Sequence, residues 1–452
     1  MTATGPQRDS SGRVVRMPPA ARILPDRIFY GWYVTLACAG FMFVGVGVAY
    51  YGLAVFLRPL QEAHGWSNSA VSGATGLFFS ASGITGALVG PRIDRHGPLR
   101  FMTTGTLLMG AAVALIGHVD ELWQLYADYL VLAVAFGMAT TVSVNAIMTR
   151  WFVTLRARAM SISSTGISVG GVLLAPLGSE LIDAGGLELA TPVMGALIVA
   201  VALPLVGLVI AFDPRDMGLE ADGGRVPRRL RAPLTAASQQ RVWTLRQAVR
   251  TVPFWAVLIA FLLVLTAQTG FVIHQISFLE DRLGSRSAAA LALSTTAFGS
   301  IVARLVVGTF ADAIDKRLLT FLLLAVQGTA VLLVIPIESK AATYALILVF
   351  GFTIGNIYMM QSLLVGEIFG MVSFGAVFGL VNLASYVGSG FGPLFVGWLE
   401  DLTGGYSAPF TVTAIATYVA ALAVVLARPL TLEDQPAESS TTLEGGTRSA
   451  TI

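Results

Sequence analysis

The chain has 452 residues, 55% hydrophobic and 12% charged, with a formal net charge of +2 and a mean hydropathy of +0.76. Soluble domains carry about 25% charged residues, so this composition excludes a water-soluble globular fold and points to a chain that lives in lipid. Its one cysteine, Cys38, excludes an intrachain disulfide.

In chain order, residues 1–27 are polar, carry arginines and lack an apolar core, so they read as a cytosolic tail and not as a cleavable signal peptide. A membrane-crossing helix needs about 20 apolar residues. Runs of that kind fall at 34–57, 71–90, 101–118, 122–148, 158–181, 191–212, 254–278, 288–310, 318–337, 341–365, 374–399 and 407–427. The arginine-rich stretch 213–253 divides them six and six. The expected fold class is therefore an all-α membrane protein of 12 transmembrane helices in two six-helix bundles, 28–212 and 254–428. The 213–253 stretch is then a cytosolic linker, and the Ser/Thr/Glu-rich residues 429–452 a disordered tail. With the N-terminus inside, the inner segments hold 23 of the 28 Lys and Arg, and the outer loops hold Arg58, Arg282, Arg286 and Lys340. That bias puts both termini in the cytosol. Basic residues are nearly all arginine in an Ala-, Gly- and Val-rich chain, which points to a bacterial cell membrane.

The two halves repeat. Gly90 to Asp94 (GPRID) recurs as Gly308 to Asp312 (GTFAD), 218 residues later, and Pro176 at the end of a glycine-rich span recurs as Pro393, 217 residues later. Parallel six-helix repeats place a substrate site between the halves near the bilayer midplane.

Few polar residues lie inside the spans. Arg304 sits eight residues before Asp312, about 12 Å from the cytosolic end at helical rise. An intramembrane arginine costs ~3 kcal/mol, and it faces a cavity or a partner; its planar fork matches a carboxylate. A structural arginine snorkelling inward is the alternative. His274 lies six residues before Glu280, about 9 Å from the outer end. It could line the site, carry a proton or serve as a core hydrogen-bond donor. These depths separate it from Arg304 by ~9 Å along the membrane normal. Tyr358 and Gln361 share one helical face, as do Asn382 and Tyr386, and Tyr51 lies within the first span. Asn145 precedes Trp151 by six residues in the fourth span. Each alone is more readily an interhelical hydrogen bond than a ligand contact. Asp128 is a clearly intramembrane acid and a candidate proton carrier.

The loop Gly90-x-x-x-Asp94-Arg95-x-Gly97-x-x-Arg100 resembles the loop between the second and third spans of the major facilitator superfamily. Several further stretches resemble the bacterial monocarboxylate transporter-like branch, which includes oxalate:formate antiporters. They are Gly52-x-x-x-Phe56-Leu57-x-Pro59-Leu60, Arg150-Trp151-Phe152, Asp213 to Leu219, Phe254-Trp255 and Gly392-Pro393-x-x-x-Gly397-Trp398-x-x-Asp401. The resemblance covers roughly residues 28–428. It implies that the loop and its second copy at Asp312 and Arg317 latch the halves together. It implies that Arg304 binds a substrate carboxylate, with His274, Asn145 and Tyr358 around it. Two departures matter. The eleventh span lacks the second cation expected of an oxalate:formate antiporter, and Ser300 stands one turn before Arg304, where animal members carry an aspartate. One fixed cation suits a monoanion better than a dianion.

The expected function is secondary transport of a small monocarboxylate with a proton, by a monomer in the lipid bilayer. Efflux of amphipathic drugs or metabolites by proton antiport and a non-transporting sensor or scaffold are the other readings. The sequence shows no catalytic constellation, metal-ligand cluster, cofactor motif or nucleic-acid module, so an enzyme, a metal site and a nucleic-acid partner are not expected.

Overall fold

A computed structural model describes residues 17–25, 27–152, 155–224, 245–310, 314–369 and 374–428. The tail 429–452, most of the N-terminal tail and Asp312 lie outside the described residues. Apolar segments in lipid must satisfy every backbone donor and acceptor internally. The described residues accordingly form helices: α1 (Tyr30–Ala49), α2 (Tyr51–His64), α3 (Asn68–His96), α4 (Leu99–Leu115), α5 (Leu122–Ala139), α6 (Thr141–Trp151) and α7 (Arg156–Pro204). From residue 245 onward follow α8 (Leu245–Ala248), α9 (Val252–Leu283), α10 (Arg286–Phe310), α11 (Lys316–Val334), α12 (Lys340–Phe369), α13 (Phe374–Thr403) and α14 (Ser407–Val425).

Among the described residues, 10 helical segments are long and apolar enough to cross a membrane. Two features separate that number from the sequence-based one. Residues Arg158–Val209 form one 52-residue segment, although Gly185 and Gly186 break it with non-helical backbone angles. The 25-residue α10, which carries Arg304, is not among the ten. Elsewhere the ends are set by local chemistry. Gly65 (φ 67°) and Gly284 (φ 85°) close α2 and α9 in the left-handed region that a side chain disfavours, and Asp315 caps α11 by accepting from the Arg317 and Leu318 amides.

Glycines let the helices cross closely. A methyl group on Gly170 of α7 would strike the Phe43 carbonyl and would lie 2.6 Å from Gly47 Cα in α1. The crossing recurs 218 residues on, where a methyl on Gly388 of α13 would meet the Leu262 carbonyl of α9 at 2.5 Å. The Gly166 and Gly170 spacing is thus used within the chain, against α1. Between the halves α3 packs on α13, α7 on α10, and α2 on α9.

The start of the 213–253 stretch is folded against the first half. Asp213 caps the turn Pro214–Met217 and pairs with Arg150 at 3.1 Å and Arg215 at 2.7 Å, and Arg150 also lies over the Phe212 ring. Burial pushes the Asp213 carboxyl up, but hydrogen bonds from Arg215 and Arg150 outweigh this and hold it at about 2, below its ordinary 3.8. A depressed carboxylate adds stability above its unfolded value and loses it as pH falls through the folded one. The contribution is therefore full above about pH 4 and gone near pH 2. Arg215 is exposed, so screening limits the gain to about 1 kcal/mol or less. An Asp213→Ala variant should melt slightly lower at neutral pH, and its melting temperature should match the parent's near pH 2.

Candidate functional site

Arg304 reaches across the interface between α10 and α7. Its Nη1 donates to the Ser164 carbonyl and the Ser168 hydroxyl, both at 3.2 Å, and its Nε donates to the Gly355 carbonyl of α12 at 3.3 Å. All three acceptors are uncharged, and no acid among the described residues pairs with it. A guanidinium buried in this way keeps its charge without a counterion, which leaves it able to take an anion. Ser300 shares a 2.8 Å hydrogen bond with Ser168 across the same seam.

A tyrosine cluster adjoins the arginine. Tyr51 lies close enough to act on Arg304 electrostatically; its ring fills the space beside Gly171 and Ala297, where a methyl group on Gly171 would come 2.6 Å from the ring. Tyr358 is near Tyr51, Tyr386 and Ser389. It is 48% exposed. Tyr386 packs on Gly83 and helps line a cavity of about 270 Å³, together with Asn145, Asn382, Thr140, Phe136 and Leu383. Thr140 is the break between α5 and α6, and this kink borders the cavity. Asn145 of α6 and Asn382 and Tyr386 of α13, taken from two separate spans, therefore meet at one opening. Gln361 does not join them: it is buried and donates to Ser385 at 2.7 Å.

His274 sits in a different place. It is fully buried, with Nε2 at 3.0 Å from the Pro393 carbonyl and 3.2 Å from the Ser72 hydroxyl, and Nδ1 at 3.3 Å from the Tyr406 hydroxyl. A carbonyl can only accept, so Nε2 carries a proton. The ring ties α9 to α3, α13 and α14 and shares no hydrogen-bond partner with Arg304. Asp128 keeps one buried carboxylate oxygen, Oδ2, without a hydrogen-bond partner, and so does the adjacent Tyr129 hydroxyl.

Of the loop motif, Gly97 ends α3 with φ 79°, Gly90 lies within α3 and Arg100 is exposed in the first turn of α4. The side chains of Asp94 and Arg95 lie outside the described set, as does Asp312. In the second copy Arg317 pairs with Asp315, two residues away, at 3.2 Å.

The opposite end of the bundle is held by polar contacts that sequence reasoning missed. Arg58 pairs with Asp281 at 3.0 Å and Glu280 at 3.4 Å, and Arg286 with Glu62 at 3.1 Å and Asp183 at 3.5 Å. Asn68 and Ser69 at the start of α3 meet Asp401 and Glu400 at the end of α13. These partners lie more than 100 residues apart, and no local spacing announces them.

The family model described as Major Facilitator Superfamily matches residues 36–389 and 275–450. Monocarboxylate transporter 13 of Bos taurus is 26% identical over 330 residues, 72% of this chain and 73% of that one. The oxalate:formate antiporter of Oxalobacter formigenes is 26% identical over 194 residues, 42% of this chain and 44% of that one. A solved bacterial homolog of the human lysosomal transporter Spinster, inward-facing and unoccupied, superimposes with a TM-score of 0.68 at 18% identity, covering 91% of this chain and 99% of that one.

Proposed function

Because this chain belongs to the major facilitator superfamily, and so is a multi-pass membrane transporter and not an enzyme, we propose that it carries a small monocarboxylate across a bacterial cell membrane together with a proton. The observation that carries this reading is Arg304: a guanidinium inside the bundle, bonded only to neutral oxygens of two other helices. The similarity to a monocarboxylate transporter and to an oxalate:formate antiporter supports the substrate class. The carboxylate takes the arginine fork, and Tyr51 and Tyr358 flank it. Asn145, Asn382 and Tyr386 hold the substrate's body in the neighbouring cavity. No second cation lies on the eleventh span, which favours a monoanion.

The transporter works as a monomer of twelve passes, with bundles at 28–212 and 254–428, a linker at 213–253 and both termini cytosolic. The end bearing Arg58 and Glu280 then faces outward. The halves alternate about the site, and the loops at Asp94 and Asp312 latch the inner end when the cavity opens outward. Asp128, with its unpartnered oxygen, and His274 are the candidates for the coupled proton.

Uptake by proteoliposomes tests this. Labelled lactate, pyruvate, acetate, oxalate and an aromatic acid are offered with and without an inward proton gradient, beside a lipophilic cation. The expected result is saturable uptake of monocarboxylates, faster with the gradient. Uptake indifferent to the gradient would sink proton coupling. Transport of the cation in preference to every acid would sink the carboxylate reading and favour amphipathic efflux.

A further inference from the structure

The start of α3 has an unusual partner. The first four N–H groups of any helix lack acceptors within it, and Ser67 serves only one of them here, Ala70 N at 3.2 Å. The Asn68 and Ser69 amides instead donate to the two oxygens of a single carboxylate, Asp401, at 3.0 and 2.8 Å. Asp401 belongs to the last turn of α13, in the other half of the chain. There it and Glu400 oppose their own helix, whose C-terminal end favours cations. A local rule broken in this way calls for a compensating contact elsewhere, and the positive end of α3 supplies it.

The surroundings are built for the contact. Gly397, one turn before Asp401, leaves room for α3: a methyl there would come 2.8 Å from the Ser72 hydroxyl and 2.9 Å from the Asn68 carbonyl. The buried Asn68 side chain donates to Glu400 at 2.9 Å and to the Tyr406 hydroxyl at 2.8 Å. Tyr406 leads on to His274, whose Nε2–H reaches Pro393. One knot thus joins α3 to α9, α13 and α14.

We propose that Asp401, by capping α3 across the interface, is the residue that holds the Arg58 end of the transporter shut, with Asn68 and Tyr406 positioning the contact. Asp401 is itself exposed, so when the ends part, water takes over both the carboxylate and the amides. The closure is therefore strong enough to favour one state and cheap enough to break in every cycle. The neighbouring ion pairs of Arg58 and Arg286 must hold long side chains in one geometry, whereas Asp401 meets fixed backbone amides, so the ion pairs bias the equilibrium less.

The test needs no substrate, so it stands or falls apart from the carboxylate reading. Ser80 of α3 faces Gly390 of α13, deeper than the knot, and a Ser80→Cys reporter in a Cys38→Ala background reads opening from that end. A membrane-impermeant maleimide is applied from each side of the membrane in turn. Asp401→Ala should raise labelling from the Arg58 side by roughly 2- to 30-fold, the range that loss of an N-cap gives, without raising it from the opposite side. Asp401→Asn, which keeps one acceptor oxygen, should fall between. Size-exclusion profiles of both variants check the fold. An unchanged rate from the Arg58 side, or an equal rise from both sides with a lower melting temperature, would overturn the proposal. So would a larger one-sided rise in Arg58→Ala than in Asp401→Ala.

Discussion

Arg304→Ala should leave the transporter folded and inserted, with carboxylate uptake reduced by roughly 10- to 150-fold, the factor given by losing a charge-assisted hydrogen bond worth ~1.5–3 kcal/mol. Stability should hold or rise slightly, because an unpaired guanidinium in the bundle is itself unfavourable by ~3 kcal/mol. The three oxygens it releases belong to Ser164, Ser168 and Gly355. The two carbonyls keep their helical partners, and Ser168 keeps Ser300. Arg304→Lys separates charge from shape. It preserves the cation but not the fork, so it should retain part of the uptake at a raised KM. Thermal shift gives an independent measure: a transported acid should stabilise the parent and leave Arg304→Ala unmoved. Uptake by Arg304→Ala at the parental rate would remove this residue from the site.

The second large effect is on assembly. Gly170→Val should lower the melting temperature sharply and cut the yield of folded protein. The new side chain has no space, because its first carbon would strike the Phe43 carbonyl and would lie 2.6 Å from Gly47 Cα. Both are backbone atoms and cannot rotate away. Overpacking costs about 1–3 kcal/mol where side chains can give, and more where they cannot. Gly388→Val, at the equivalent crossing of α13 on α9, should do the same. Gly207→Ala is the control, because nothing lies within 4 Å of the added methyl. A Gly170→Val protein that melts with the parent would show that α1 and α7 can separate freely, against the packing described.

Much of this protein was legible before any coordinates. Hydropathy reports directly on which segments can leave water, since a span must be apolar over its whole length. The glycine and proline landmarks repeat because both halves solve the same crossing problem, and that repetition survives as Gly170 on α1 and Gly388 on α9. Arg304 stood out because charge inside a span is expensive wherever the helix points. The sequence separates the runs 158–181 and 191–212, and the structure places non-helical angles at Gly185 and Gly186 in the gap between them, within one continuous 52-residue segment. The partners were not legible at all. Sequence spacing gives neighbours three and four residues along a helix. The contacts of Arg304 with Ser168, of His274 with Ser72 and Tyr406, and of Asp401 with Asn68 join positions 132 to 333 residues apart.

His274 illustrates the difference. Its place late in a span left open a site-lining residue, a proton carrier or a core hydrogen-bond donor, and the fold sets it in the knot at the start of α3, with both nitrogens engaged. Gln361 shares a face with Tyr358 by helical spacing, yet one is buried against Ser385 and the other is half exposed. A helix face is set by its own period, but what that face meets is set by which helix packs there. The sequence by itself determined that this chain spans a membrane as repeated helices and that one guanidinium would stand inside it. Only the tertiary structure decided which oxygens surround that guanidinium and which carboxylate caps α3, because both are contacts between segments that lie far apart along the chain.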